Sequence, residues 1–554
     1  MNRLFAGDRR IVRGRSLQLL LRCVSLFSLC LVLAVSCGAP KTTTAPGTGN
    51  AAANNGRVTM GTTLKAETVD PADAYELFPG VLLSNLGDRL YTYKPGTTEL
   101  EPQLATALPS ISADGLTYKI PLRTGVTFHD GSPFTAEAMA FSIQRFMKNG
   151  GRPAFLLSDK VATVAASGNS ELTITLKQPF AAFPALLAFS GVTPVQPKAY
   201  EIGAGKFKPK EFIGTGPYKL AKFGTDSIRL DAYEGYWGEK PANKGIDIQL
   251  VTSPANLFNA FRTGGLDVAY QTLDPDQIRT LEQGAKQNGW QVIQAGTNTV
   301  NYLVLNAKSE PLNNVKVRQA IAALIDRNLL NQRVFQGQAE PLYSLIPTTF
   351  PIYKPIFKDQ YGDGNYDKAK QLLTEAGFSQ SKPLTLELWY SSSSTTRGLV
   401  ASTLKSAIEE KLPGLVSVSL NSVETGTLFD NLDKGTYPAV ILDWYPDYYD
   451  AETFIDPFLS CDKGSVEKGC EAGQSQSGGS FYYSDRANAL LKKQRSEQNP
   501  KARDADFIQL QDLLGEDVPY IPLWQNKDYV FAQSRVQNVA IQPSQQFLFS
   551  QIKK

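Results

Sequence analysis

The sequence predicts an α/β protein with mixed sheets, organised as two or three domains. Three observations carry this. The chain has 554 residues, more than one hydrophobic core ordinarily serves. Helix-spaced and strand-spaced apolar patterns are interspersed along it instead of being segregated. Composition is that of a globular protein, 42% hydrophobic and 20% charged, and 23 Tyr with 28 Phe supply rings enough for a large site.

The N-terminus reads as an address. Residues 1–22 are a basic region, and Cys23–Ser36 is a 14-residue apolar run. A bilayer span needs roughly 20 apolar residues, so the run fits a secretory signal. A membrane anchor extended through Leu17–Leu21, with Arg22 snorkelling, is the alternative. The run ends in "LAVSC", which resembles the lipobox of bacterial lipoproteins, although Ala34 stands where Leu is usual. That resemblance implies a signal peptide over 1–36, lipidation at Cys37 and a membrane-held protein. Residues 37–56 then read as a flexible tether, small and polar with little to bury.

With the signal removed, 50 basic and 52 acidic residues remain and no basic block tracks phosphates. Nucleic acid is thereby excluded as a partner. His129 is the only histidine, which disfavours imidazole metal sites and Ser-His-Asp triads together. No metal and no cofactor are expected. Cys461 and Cys470 close a short loop in an exported chain, where a disulfide is favoured over two free thiols.

In the body, "LTYKIPLR" (116–123) alternates as a half-buried strand, with Leu116, Tyr118, Ile120 and Leu122 on one face. Asp130-Gly131 is a turn. Thr135 caps a helix whose Met139, Ile143 and Phe146 share a face. Val317, Ile321, Leu324 and Ile325 define a second helix, and Ala369, Leu372, Leu373 and Ala376 a third, stopped by Gly377. "LTLELWY" (384–390) and "AVILDWY" (439–445) read as strands. No internal repeat of 20 to 50 residues is visible.

One stretch carries unusual chemistry. "DWYPDYYD", Asp443 to Asp450, packs three aspartates and four rings into eight residues. Asp443 and Asp447 could flank a scissile bond as the paired carboxylates of a secreted hydrolase. Alternatively the acids are solvated in a loop, or one of them catches a cation between aromatic walls.

Several stretches, taken in order, resemble the extracellular solute-binding proteins of family 5, the peptide-type binding components of ABC importers. They are "ADGLTYKIPLRTGVTFHDGSPFTAEAMAFSIQRF" (113–146), "GTGPYKL" (214–220), "LDAYEGYWGEKP" (230–241), "FRTGGLDVAY" (261–270), "YLVLNAKSEPLNNVKVRQAIAALIDRNLL" (302–330), "DWYPDYYDAETFIDPFLSC" (443–461) and "VPYIPLW" (518–524). Gly125 departs from the family's usual acid. The resemblance implies two lobes and three domains around a ligand cleft. Residues 57–93, 213–297 and 523–554 would form the main domain of lobe 1, with 94–212 inserted, and 298–522 would form lobe 2. The chain would cross between lobes near Thr297–Thr299 and Pro522–Trp524, making a hinge.

For the site, the resemblance implies that Asp447 pairs with the α-ammonium of a peptide, with Trp444, Tyr445 and Tyr448 as walls; Trp444 could equally be core. Family members use a basic residue for the ligand carboxylate. Arg397, after "SSSSTT", is the candidate, an ordinary surface Arg the alternative. "GTGPYKL" lacks the Lys-Ser/Thr ending of a phosphate loop. The implied partners are therefore a permease and a separate ATPase, with the binding protein itself a non-enzymatic monomer. An oligosaccharide or a metal chelate is the alternative cargo.

Overall fold

The computed structural model describes residues 56–554 apart from Gln545. The signal, Cys37 and the tether before Gly56 lie outside the described residues. Among the described residues, no helix is long and apolar enough to cross a membrane.

Local signals translate directly into elements. The strand Thr117–Pro121 buries Tyr118 and Ile120, and Leu122 follows them into the core. It sits inside a four-stranded antiparallel sheet. Gly131 takes a left-handed φ of 86° at the turn, and the Asp130 carboxylate accepts from the Ser132 N–H at 3.0 Å. The helix Ala136–Lys148 begins where the Thr135 hydroxyl accepts from the Ala138 N–H at 3.2 Å, and it buries Met139, Ile143 and Phe146. Asn314 caps Val315–Leu324 in the same way. Tyr366–Glu375 buries Ala369 and Leu373 and leaves Leu372 half-buried; Gly377, φ 86°, ends the segment.

The buried apolar side chains form three large clusters. One gathers residues between Val300 and Trp524. A second gathers residues between Leu90 and Val192 and takes in Tyr448 from far along the chain. The third is assembled from stretches within 58–86, 195–270 and 530–552. Trp524 packs on Phe335 at 4.9 Å within the first cluster.

An eleven-stranded mixed sheet runs through the first and third clusters. At its centre the long strands Gln291–Leu305 and Tyr520–Ala532 pair antiparallel with each other. Both expected crossings fall inside these two neighbouring strands. The ladder loses register between Gly296 and Val300. There Asn298, fully buried, donates to the Pro543 carbonyl at 2.6 Å and accepts from the Thr349 hydroxyl.

Candidate functional site

The strand Ala439–Trp444 ends in the acidic, aromatic stretch, and its residues part company there. Asp443, the last exposed position of the strand, accepts from the Arg397 guanidinium. Arg397 is thus turned onto Asp443 and is not among the residues that line the cavity described below. Trp444, half-buried, packs edge-on against Phe458 at 5.9 Å on the flank of the 300–524 cluster and is not among the residues that line the cavity. Asp450 is not a solvated loop acid either. Arg503 grips it with two hydrogen bonds of 2.6 and 2.7 Å, and its Oδ1 also accepts from the Glu452 N–H at 2.9 Å.

Between these, residues 445–449 reach across to the 58–192 part of the chain and close a cavity of about 320 Å³. That is the low end of the range for small-ligand sites, roughly 300–1,000 Å³. Tyr445, 40% exposed, and Asp447 line it from one side; Tyr75, Tyr93 and Phe189 line it from the other. Tyr448 also lines it but is anchored: its ring meets Phe180 edge-on at 6.0 Å and its hydroxyl donates to Glu452. Tyr449 meets Tyr93 edge-on at 5.2 Å and donates its N–H to the Tyr93 hydroxyl at 3.3 Å.

Asp447 is the chemically distinctive group. The Tyr75 hydroxyl donates to its Oδ1 at 2.5 Å, and among the described residues no Lys or Arg forms an ion pair with it. Burial pushes its carboxyl up to about 6, against the opposing pull of the Tyr75 hydrogen bond and the Lys160 charge. A half-buried carboxylate with one neutral donor, walled by rings, is built to receive a cation. A second acid, Asp528, stands by. It accepts from the Gln271 side chain at 2.8 Å, and burial raises its carboxyl to about 7. Both Asp528 and Asp447 bear on Tyr445 and, with burial, raise its hydroxyl's pKa.

Asp443 does not line the cavity and so does not face Asp447 across it, and the paired-carboxylate geometry of a hydrolase is not formed. His129 is structural. Its Nδ1 accepts from the Gly214 N–H at 3.3 Å, its Nε2 donates to the Gly216 carbonyl at 3.0 Å, and burial holds it down at about 4. Cys461 and Cys470 are joined in a disulfide beside Ala472. Sequence reasoning missed Tyr75, Tyr93, Phe189 and Asp528, none of which lies in a stretch that the sequence patterns singled out.

A ring-lined, acid-bearing cavity of this size suits the binding of a small ligand. The model of the family described as bacterial extracellular solute-binding proteins, family 5 (middle), matches residues 99–465. The chain belongs to that family. It is 27% identical over 495 residues to a probable D,D-dipeptide-binding periplasmic protein of Escherichia coli (strain K12), covering 88% of this chain and 91% of that one. Two solved structures share the fold. The HbpA2 protein of Haemophilus parasuis matches with a TM-score of 0.77 at 22% identity, over 90% of this chain and 99% of that chain. An ABC transporter-associated periplasmic binding protein of Helicobacter pylori, in complex with the peptide STSA, matches with a TM-score of 0.70 at 24% identity, over 90% and 98%.

Proposed function

We propose that this protein is a lipid-anchored, extracytoplasmic receptor for short peptides, which it captures between its lobes and hands to an ABC import permease driven by a separate ATPase. Asp447 takes the peptide's α-ammonium, and Tyr445, Tyr448 and Tyr75 enclose the first residues. The observation that carries this is the Asp447 carboxylate, raised by burial to about 6, hydrogen-bonded by the neutral Tyr75 hydroxyl and in no ion pair among the described residues. An ammonium leaving water needs a charged, hydrogen-bonded partner, and a carboxylate so placed regains what its burial lost. The peptide-binding relatives support the cargo class. Exposed to a peptide library and washed, the protein should retain short peptides with free N-termini, identified by mass spectrometry after denaturation. Retention of sugars or metal chelates from a mixed pool, and no peptides, would refute the cargo.

A further inference from the structure

The charged groups around the cavity are unbalanced. The charged side chains among its described lining are Glu76 and Asp447, both acids. No Lys or Arg is among the described residues that line the cavity. Arg152 donates to Glu76 at 2.7 Å, with Asp73 and Glu67 within 4.0 Å of it as well. Arg89 is fully buried outside the lining; it donates to the Ser84 and Gly87 carbonyls and to Thr92, while its Nε has no hydrogen-bond partner among the described residues. Lys160 sits over the Phe180 ring at 4.7 Å, outside the lining, and serves Glu452 and Asp456 besides Asp447. Arg397 is held by Asp443. Asp528, meanwhile, adds a carboxyl that is partly ionised at neutral pH; it acts on Tyr445 and accepts from the neutral Gln271 amide.

A dipeptide is a zwitterion with its two charges a few ångströms apart. Inside this cavity its ammonium has a partner, whereas its carboxylate meets rings, serine hydroxyls and a lining whose charged side chains are acids. We propose that the site reads only the amino end of its cargo and selects net-cationic ligands, short peptides whose carboxylate is blocked or offset by a basic side chain, over zwitterionic dipeptides. This rests on the reading of Asp447 as the ammonium partner. Like charges about 8 Å apart, at an effective dielectric near 40 for a site open to solvent, repel enough to change affinity about fivefold.

The test offers the whole protein an equimolar set of Xaa-Ala dipeptides in three forms: free acid, C-terminal amide and N-acetyl amide. Captured ligands are weighed by native mass spectrometry. Amides should outnumber acids by about fivefold at low salt, and the advantage should shrink in 1 M salt. N-acetyl amides should be absent. Acids captured as well as amides, with N-acetyl forms still absent, would overturn the charge selection and leave the ammonium reading standing. Capture of N-acetyl forms, or of no dipeptide in any form, would overturn both. In Asp528→Asn the amides should still bind, with their advantage reduced to about twofold; an undiminished advantage would refute the part assigned to Asp528.

Discussion

Replacing Asp447 by Asn keeps the side chain's shape and its acceptor for the Tyr75 hydroxyl while removing the charge. At about 3 Å and an effective dielectric near 20, an ammonium and a carboxylate attract by about 5 kcal/mol before desolvation is counted. Breaking one side of such a pair typically costs about 2–5 kcal/mol. Asp447 is partly open to the cavity and keeps a neutral hydrogen bond, so the lower part of that range applies, about 2–3 kcal/mol, or about 30- to 150-fold in Kd. N-acetylation of the peptide removes the other half of the same pair. Calorimetry on wild type and Asp447→Asn, with free and N-acetylated peptide, closes a double-mutant cycle. The two losses should be strongly non-additive, the doubly altered pair binding little worse than either single change. Asp443→Asn, outside the cavity on Arg397, should shift Kd less than about threefold. Additive losses, or equal sensitivity at Asp443, would refute the assignment.

Binding should depend on pH through the same group. Asp447 at about 6 lies above its ordinary value, so the free folded state holds this proton more tightly than the unfolded chain does. Its contribution to the stability of the free protein therefore grows as pH falls from about 6 toward 4, while affinity for an ammonium falls, approaching tenfold per unit, with one proton released on binding. Calorimetry in buffers of different ionisation heat checks both. His129 runs the other way: held at about 4, its contribution is complete above pH 6.5 and is lost as pH drops through 4; His129→Ala, leaving two buried backbone groups unpaired, should cost about 2–3 kcal/mol in urea unfolding. Asp450→Ala strands Arg503 and should cost about 3 kcal/mol of stability by the same measurement, with peptide affinity in the surviving folded protein changed less than about threefold. Cys37→Ser should leave an unprocessed precursor that carries no lipid mass and does not partition into detergent.

Much of the scaffold was legible because its signals are local. Thr135, Met139, Ile143 and Phe146 announce a helix within twelve residues, and Gly131 and Gly377 mark conformations that other residues resist. The cavity was half legible for the opposite reason. The aromatic-acidic stretch names Asp447, but the donor that meets it, Tyr75, lies 372 positions away in a segment with no period. Likewise nothing near Asp450 points to Arg503, and nothing near Arg397 points to Asp443; a charged side chain's partner is chosen by tertiary approach, not by its neighbours in sequence. Trp444 shows the same limit, since an indole beside a site and an indole beneath it look identical until the packing of Phe458 is known.

The two strands that carry the chain between the clusters are hydrogen-bonded to each other along most of their length and lose register only around 296–300. Such a connection behaves as a torsion spring: it resists sliding and splaying, and yields mainly by twisting where the rungs are missing. On the proposed capture between lobes, whatever elastic work the ribbon needs to bring them together would be subtracted from every ligand's affinity alike, whichever groups that ligand offers to the cavity. Tightness and choice are therefore set in different parts of the molecule. Stiffening or slackening the Gly296–Val300 segment would retune the working concentration range of the receptor without rewriting what it prefers.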